Sequence, residues 1–146
     1  MPGLVDTNLL LYGANADAAE HARARAFLVD IGRTADPWYL TEGIVYEFLR
    51  VSTHPKVFPA PLSAHDALAF LRPLLEAENV HVLGAAQGHW TVLGEVLEGL
   101  THPSGNLFFD VRTAVLMREH GVGRIYTTDT DFLQFEGIEV VNPLRG

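Results

Sequence analysis

The sequence predicts an α/β fold in which a mostly parallel central sheet is flanked by helices, and three observations lead to that prediction. Short apolar runs bounded by glycine, proline or polar residues recur along the chain, as expected for strands that are buried on both faces. Longer segments with apolar residues at helical spacing separate these runs. The length of 146 residues, without a repeat or a long linker, predicts a single domain that covers 1–146.

The first elements alternate between strand and helix. Leu4-Val5 is a short apolar run that ends at Asp6 and predicts a buried first strand. A helix is predicted from Asp17 to about Ile31, and Pro37-Trp38-Tyr39-Leu40 predicts a brief second strand. The apolar side of this helix is expected to carry Ala22, Ala26, Phe27, and Leu28 or Val29.

Two helix starts in the middle of the chain carry capping residues. Thr41 is a plausible N-cap for a helix, and Pro55, Pro59 and Pro61 then force a loop. Ser63 with Asp66 three residues later resembles a capping box, which predicts a second helix start. The apolar residues of the two helices are Ile44, Val45, Phe48 and Leu49 in the first, and Leu68, Leu71, Leu74 and Leu75 in the second.

The second half of the chain repeats the alternation. Strands are predicted over Val80–Leu83, over 124–127 and at Val140–Val141. Helices are predicted over 87–100 and 106–120, and Gly121 is expected to end the second of them. Strands that alternate with helices in this way form parallel sheets.

Four carboxylates lie inside or at the end of apolar runs, where a carboxylate is costly unless it is paired, hydrogen-bonded or bound to a metal. They are Asp6, Glu47, Asp110 and Asp129. Each has a local alternative: Asp6 could cap a turn, Glu47 could pair with Arg50, Asp110 could pair with an arginine such as Arg112, and Asp129 could be an ordinary turn residue. The explanation that covers all four at once is convergence on a divalent cation.

The predicted topology permits this convergence, because ligands of parallel sheets bind at the carboxyl ends of the strands. Asp6 and Asp129 each follow a predicted strand, and Glu47 and Asp110 lie in helices that can face the same edge. Hard oxygen ligands select Mg²⁺ or Mn²⁺. Such ions activate water and stabilise phosphoryl displacement, so the pattern indicates a metal-dependent enzyme.

Composition and missing motifs exclude several other classes. The chain has no cysteine, and its seven histidines form no close pair of the kind that binds zinc. It lacks both the glycine-rich phosphate-binding loop and the nucleophile elbow of hydrolases. A net charge of −8 argues against non-specific binding to nucleic acid. Five arginines are candidates for individual phosphate contacts, although exposed helix faces are the more common role: Arg23, Arg25, Arg50, Arg112 and Arg118.

Taken together, the acidic motifs resemble those of PIN domains, and in particular the VapC-type toxins of bacterial toxin–antitoxin pairs. The segments that carry the resemblance span nearly the whole chain: Leu4-Val5-Asp6-Thr7-Asn8, Glu47-Phe48-Leu49-Arg50-Val51 followed by Thr53-His54-Pro55, Gly105-Asn106-Leu107 leading to Asp110, and Thr128-Asp129-Thr130-Asp131-Phe132. The resemblance implies an endoribonuclease that depends on Mg²⁺ or Mn²⁺, in which Asp6, Glu47, Asp110 and Asp129 bind the metal and catalyse the reaction.

Further residues follow from the same resemblance. It implies that Asn8 and Thr128 orient the carboxylates by hydrogen bonds. Asp131 competes with Asp129 and is either an additional ligand or a solvated turn residue. Glu42 competes with Glu47, and Glu47 is preferred because it lies within the apolar run.

The resemblance also implies partners. An RNA substrate, a cognate antitoxin and a homodimer are expected. The antitoxin is expected to insert a basic side chain into the acidic site and to anchor apolar residues in a groove edged by Trp38, Phe48 and Phe58. The start of the chain has no signal peptide and no apolar stretch reaches membrane-spanning length, which predicts a cytoplasmic protein that does not enter the membrane.

Two alternative functions remain at this point. One is a small-molecule phosphohydrolase with Asp6 as nucleophile, similar to haloacid dehalogenases. The Asp6-Thr7-Asn8 sequence lacks the second aspartate which that family places two residues after the first. The family also usually binds phosphate with a lysine, and Lys56, the only lysine here, lies in a proline-rich loop. The other is a non-catalytic module whose acidic site binds a basic partner.

Overall fold

The computed structural model describes residues 1–145, and within them it contains a five-stranded sheet in which every strand pairing is parallel. The strand order is β3-β2-β1-β4-β5. The predicted α/β class is therefore confirmed. The strands are β1 (Leu4–Val5), β2 (Trp38–Thr41), β3 (Val80–Leu83), β4 (Arg124–Tyr126) and β5 (Glu139–Val141).

Helices connect the strands and pack against the sheet, as the alternating pattern predicts. No helix in residues 1–145 is long and apolar enough to cross a membrane. The helices are α1 (Thr7–Ala14), α2 (His21–Ile31), α3 (Glu42–Ser52), α4 (Ala64–Leu75), α5 (His89–Glu98) and α6 (Leu107–Glu119), and a short 3₁₀ helix covers Asp131–Gln134.

The central strand β1 determines where a ligand site can form. Leu4 lies opposite Tyr39 of β2 on one side and Ile125 of β4 on the other. The chain runs outward from β1 through β2 to β3 and then returns to β4 on the opposite side of β1. This reversal of strand order is a topological switch point, and ligands bind in the crevice at the carboxyl ends of the strands there.

Helix α1 is an element that the sequence analysis did not predict. Its sequence, Thr-Asn-Leu-Leu-Leu-Tyr-Gly-Ala, is apolar around most of its circumference and therefore shows no clear helical periodicity. Leu9 and Leu10 are both fully buried because α1 packs between α2 and α3. The local alternative for Asp6, in which it caps a turn, therefore takes a larger form, because Asp6 caps helix α1.

Helix α2 begins later and faces the core differently from the prediction. It starts at His21 instead of Asp17. Ala24, Leu28 and Ile31 are buried, whereas the predicted core residues Ala22 and Ala26 are exposed. The error arises because alanine is only weakly hydrophobic. A run of alternating alanine and arginine therefore does not show which residues of the helix face the core.

The predicted groove edged by Trp38, Phe48 and Phe58 is wrong, because all three side chains are buried in the core. Phe48 stacks on Phe70 with 5.3 Å between ring centroids. Trp38 packs against Tyr126 with a centroid separation of 5.0 Å. These aromatic residues stabilise the fold and offer no surface to a partner.

Both predicted helix caps are present, and one of them gives a test of the fold. The Thr41 hydroxyl accepts a hydrogen bond from the Ile44 amide at 3.0 Å, and the Ser63 hydroxyl accepts one from the Asp66 amide at 3.0 Å.

We expect Ser63→Ala to lower the free energy of unfolding by about 1 kcal/mol, because an amide of the first turn of α4 loses its acceptor. Urea unfolding measures this change. Ser104→Ala, at an exposed loop serine, is the matched control, and an equal loss in both variants would contradict the capping role.

Candidate metal centre

Asp6 is held rigidly at the carboxyl end of β1. Its backbone amide donates to the carbonyl of Tyr126 at 3.0 Å, which continues the pairing of β1 with β4 by one residue. Its Oδ1 accepts a hydrogen bond from the Thr7 amide at 2.8 Å, so Asp6 caps α1. The side chain is buried, and the positive end of the α1 dipole partly compensates its charge.

The hydroxyl of Thr127, which follows β4, connects three groups of the site. Thr127 donates to Oδ2 of Asp6 at 2.8 Å. The hydroxyl oxygen of Thr127 also accepts one hydrogen bond from the Asn8 amide group at 3.0 Å and one from the backbone amide of Asp129 at 3.0 Å. One donated and two accepted bonds use the full capacity of a hydroxyl group. Thr127 therefore fixes the relative positions of the loops that follow β1 and β4.

Asn8 and Thr128 lie beside this arrangement. The Asn8 amide group also approaches Oδ2 of Asp6 at 3.4 Å, and its Oδ1 accepts from the Thr128 backbone amide at 3.3 Å. Thr128 thus contacts Asn8 through its backbone, while the hydroxyl that orients Asp6 belongs to Thr127. Thr127 was not predicted from the sequence, because two adjacent threonines precede Asp129 and only the strand register distinguishes them.

Glu47 reaches the site from the second turn of α3. The Thr7 hydroxyl donates to its Oε2 at 3.4 Å, which links α3 to the start of α1. Glu47 is half-buried, whereas the competing Glu42 in the first turn of α3 is exposed. The two carboxylates therefore lie in different environments, and Glu47 is the one whose charge acts on Asp6.

Asp110, Asp129 and Asp131 form the tightest acidic group among the described residues. Each offers one carboxylate oxygen, and these oxygens lie within 4.8 Å of one another. Asp110 lies in the first turn of α6, and the Asp131 amide donates to Oδ1 of Asp129 at 2.9 Å. Asp131, which the sequence left open as ligand or turn residue, lies inside this group, while Asp6 and Glu47 lie around it.

Electrostatics show that all five carboxylates share one region. Burial raises the pKa of Asp6 from 3.8 to about 6, against the lowering effect of its hydrogen bonds from Thr127 and Thr7. Burial likewise raises the pKa of Asp110 to about 7, and the charges of Asp6, Asp129, Asp131 and Glu47 raise it further, in that order. Without a cation, the folded protein therefore binds protons at this site near neutral pH.

None of these carboxylates forms an ion pair within residues 1–145. The pairs observed there are Arg72 with Glu76, His89 with Glu119, and Arg124 with Glu139, all elsewhere in the molecule. The local alternatives in which Glu47 pairs with Arg50, or Asp110 with Arg112, are therefore not formed. Arg50 lines the same cavity but pairs with none of the five carboxylates among the described residues, which leaves a divalent ion as the simplest source of compensating charge.

The donor set fits a hard divalent ion. All the candidate ligand atoms are carboxylate oxygens, as Mg²⁺ and Mn²⁺ prefer. Oxygens that share one Mg²⁺ at about 2.1 Å lie no more than about 4.2 Å apart. The spacing of up to 4.8 Å is slightly wider, so small side-chain rotations would close the Asp110, Asp129 and Asp131 group around an ion. These three residues line an open cavity of about 290 Å³.

Comparison with known proteins identifies relatives over nearly the full length of the chain. No family profile matches it. Ribonuclease VapC33 of Mycobacterium tuberculosis is 34% identical over 140 residues, which cover 96% of this chain and 96% of the relative. The match is therefore long enough and close enough to define a family.

Solved structures share the fold. VapC20 of Mycobacterium tuberculosis, described as a sarcin-ricin loop cleaving toxin, superposes with a TM-score of 0.65 at 17% identity and covers 91% of this chain and 93% of its own. A chain of VapBC2 from Rickettsia felis, bound to a DNA fragment from its promoter, also has a TM-score of 0.65, at 15% identity, and covers 97% of this chain and 98% of its own. At these identities the structures establish the fold alone.

Proposed function

The chain belongs to the VapC family of PIN-domain ribonucleases, the toxins of toxin–antitoxin systems, and from this premise we propose that it cleaves RNA at its acidic site with the aid of Mg²⁺ or Mn²⁺. The observation that carries the metal dependence is the convergence of five carboxylates with no cationic partner in the described chain. We further propose that residues 1–146 act as one PIN-like domain.

Each residue of the site has a role in this proposal. Asp110, Asp129 and Asp131 are the side chains that would hold the ion, with Asp6 and Glu47 beside them. A bound divalent ion would supply an activated water and offset the negative charge that develops on the phosphate. The Thr127 hydroxyl orients Asp6 and fixes the loop that carries Asp129. Raised pKa values at Asp6 and Asp110 imply that ion binding releases protons.

The geometry gives less support to a phosphohydrolase with Asp6 as nucleophile. Asp6 is only 9% exposed, and both of its carboxylate oxygens already accept hydrogen bonds. A nucleophile must instead approach the substrate phosphorus with a free oxygen. Asp6 is better placed to add negative charge to the metal site than to attack a substrate.

A cleavage assay with purified protein tests the proposed function. RNA should be cut in the presence of Mg²⁺ or Mn²⁺, and a chelator should stop the reaction until the ion is restored in excess. Cleavage that persists undiminished after chelation would contradict metal dependence. Absence of RNA cleavage with either ion would contradict the proposed activity itself.

The proposal extends to partners. The related VapBC assemblies support an antitoxin partner. We propose that this antitoxin inserts a basic side chain among the carboxylates, that the protein is a homodimer, and that it acts in the cytoplasm. Co-expression with the protein encoded beside it should suppress toxicity and give a stable complex on gel filtration. Toxicity that is unchanged by co-expression would contradict the proposed antitoxin partner. A chain that stays monomeric would contradict the proposed homodimer.

Thr127→Val should reduce RNA cleavage by roughly tenfold to a hundredfold, the range for residues that orient metal ligands. Valine keeps the shape of threonine but removes the oxygen that joins Asp6, Asn8 and the Asp129 amide. The apparent affinity for Mg²⁺, measured from cleavage rates against ion concentration, should fall as well. Thr128→Val is the matched control, because the Thr128 backbone, not its hydroxyl, contacts Asn8. Equal effects in the two variants would contradict the special role of Thr127.

A further inference from the structure

A second cavity of about 480 Å³ lies beside the acidic site, between α3 and α6. This volume falls within the range of about 300–1,000 Å³ that small-ligand pockets occupy. The two cavities share Glu47, Arg50 and Phe109 in their walls, so they lie next to each other on the surface. A molecule long enough to span both cavities would pass these three residues, and we call the second cavity the Tyr46–Arg112 cavity.

Two aromatic rings in this cavity are exposed in a way that core packing does not explain. Tyr46 is 72% exposed and Phe109 is 63% exposed. Tyr46 lies on the face of α3 that carries Gly43 and Arg50, and Phe109 lies one turn before Arg112 on α6. Each of the two helices therefore contributes one aromatic ring and one arginine to the wall of this cavity.

The two arginines of the cavity have no acidic partner among the residues described. Neither Arg50 nor Arg112 takes part in an ion pair, although carboxylates are close by. Glu42 and Glu47 also line this cavity, but neither forms an ion pair with Arg50 or Arg112 among the described residues. The guanidinium groups therefore keep their donors for a phosphate, which a planar guanidinium group binds through two hydrogen bonds. Because the protein has a net charge of −8, such local positive groups are needed wherever a polyanion approaches it.

Gly43 makes room for Arg112. A Cβ atom at position 43 would lie 2.8 Å from Nη1 and 3.4 Å from Cζ of Arg112. The guanidinium group therefore rests against the bare backbone of α3, close to the acidic site. Glycine is otherwise a poor choice inside a helix, so its presence here is consistent with a requirement for the close approach of Arg112.

We propose that the Tyr46–Arg112 cavity holds a nucleotide that flanks the cleaved bond, with its base against Tyr46 or Phe109 and its phosphate against Arg112 and Arg50. This assignment rests on the proposed ribonuclease function. Aromatic rings beside unpaired arginines are the combination that binds single-stranded nucleic acid, since every base offers a face for stacking and every phosphate a charge. The carboxylates of the neighbouring acidic site attract the basic side chain of an antitoxin, whereas Arg50 and Arg112 attract a phosphate, so RNA is the favoured occupant of the cavity.

Equilibrium binding to RNA tests the cavity without requiring catalysis. A fluorescein-labelled single-stranded RNA of mixed sequence is titrated with full-length protein that carries Asp110→Asn to prevent cleavage. In this background, Tyr46→Leu and Phe109→Leu should each weaken binding by roughly tenfold. Trp90→Leu is the matched control, because Trp90 is 78% exposed and lies on α5, outside both cavities.

Salt dependence identifies the phosphate contact. Arg112→Gln should weaken RNA binding and reduce the slope of log affinity against log salt concentration by about 0.7, the value for one phosphate contact on a single strand. Arg33→Gln, at an exposed arginine that lies outside both cavities, should leave affinity and slope unchanged. A purely structural role of Arg112 would not alter the slope.

Gly43→Ala separates binding from stability. Alanine favours the helix, and the atoms it displaces belong to the flexible end of Arg112, so the protein should become at least as stable. RNA binding should nevertheless weaken, because Arg112 is displaced. In a protein that already carries Arg112→Gln, Gly43→Ala should cause no further loss, and an additive loss would contradict the proposed link between the two positions.

The outcomes distinguish the cavity from the function on which it rests. If the unaltered protein cleaves no RNA and the Asp110→Asn protein binds none, the ribonuclease proposal fails and the cavity assignment fails with it. If RNA is cleaved and bound but the four cavity variants behave like the controls, only the cavity assignment is overturned. It is also overturned if these variants keep RNA affinity while they lose antitoxin binding or dimerisation, because the cavity is then a protein interface.

Discussion

Replacing Asp110 by asparagine will reduce RNA cleavage by about a hundredfold or more, since even changes to residues that only orient metal ligands cost about 10- to 100-fold. Asparagine keeps the shape of the side chain but removes the charge at the centre of the acidic group. Asp110 belongs to the tightest carboxylate cluster and feels the charges of the other four carboxylates. Initial cleavage rates at saturating Mg²⁺ measure the effect.

The loss of activity should not come with a loss of stability. Asp110 forms no ion pair in the described structure, so its removal leaves no cationic side chain unpaired and relieves repulsion among the remaining acidic groups. The melting temperature of the metal-free variant should be equal to that of the unaltered protein or higher. Glu78→Gln, at an exposed carboxylate that lies in neither acidic-site cavity, is the matched control. Full cleavage by the Asp110→Asn protein would remove this residue from the site.

The second large effect concerns pH. The metal-free protein should lose stability as pH rises from about 4 to about 7, because Asp6 and Asp110 have raised pKa values when folded. Between the unfolded and folded pKa values, the folded state binds more protons than the unfolded state, so rising pH favours unfolding. The pKa of Asp6 rises from 3.8 to about 6, which corresponds to about 3 kcal/mol. Chemical denaturation at a series of pH values in the presence of a chelator measures this trend.

Two comparisons make the pH prediction specific. Asp6→Asn should flatten the dependence, since asparagine does not titrate and still provides an oxygen to cap α1. Mg²⁺ should stabilise the unaltered protein more at about pH 8 than at about pH 5, because the ion competes with protons for the same carboxylates. Stability that increases with pH across this range would show that the carboxylates are held by favourable partners instead.

The parts of the fold that were predictable from sequence are those with a clear spatial period or boundary signal. Val80–Leu83 forms a strand with the predicted bounds, and Thr41 and Ser63 cap helices as expected. Helix α1 was missed because its apolar residues surround the helix, and a period cannot be detected when nearly every position is apolar. The groove edged by Trp38, Phe48 and Phe58 was wrongly predicted, because the sequence does not show whether aromatic residues at these positions pack inward or edge a surface.

The candidate site shows a similar division. Carboxylates within apolar runs are detectable because burial of charge is costly, and the structure brings Asp6, Glu47, Asp110 and Asp129 to one region. The contribution of Thr127 was not detectable, because its hydrogen bonds to Asp6 and Asn8 cross about 120 positions of sequence. The two exposed aromatic rings beside the site could not be recognised either, since exposure is a property of the folded surface.

The central position of β1 also has a consequence for biosynthesis. Asp6 is synthesised early, yet its strand pairs with β4 at Ile125 and its carboxylate is fixed by Thr127. Asp129 and Asp131 emerge from the ribosome later still. A nascent chain therefore cannot assemble the acidic group until about nine tenths of the sequence has been translated, even though domains begin to fold during synthesis. For an enzyme that attacks RNA, this order of assembly means that the unfinished chain lacks its acidic site while it is still on the ribosome.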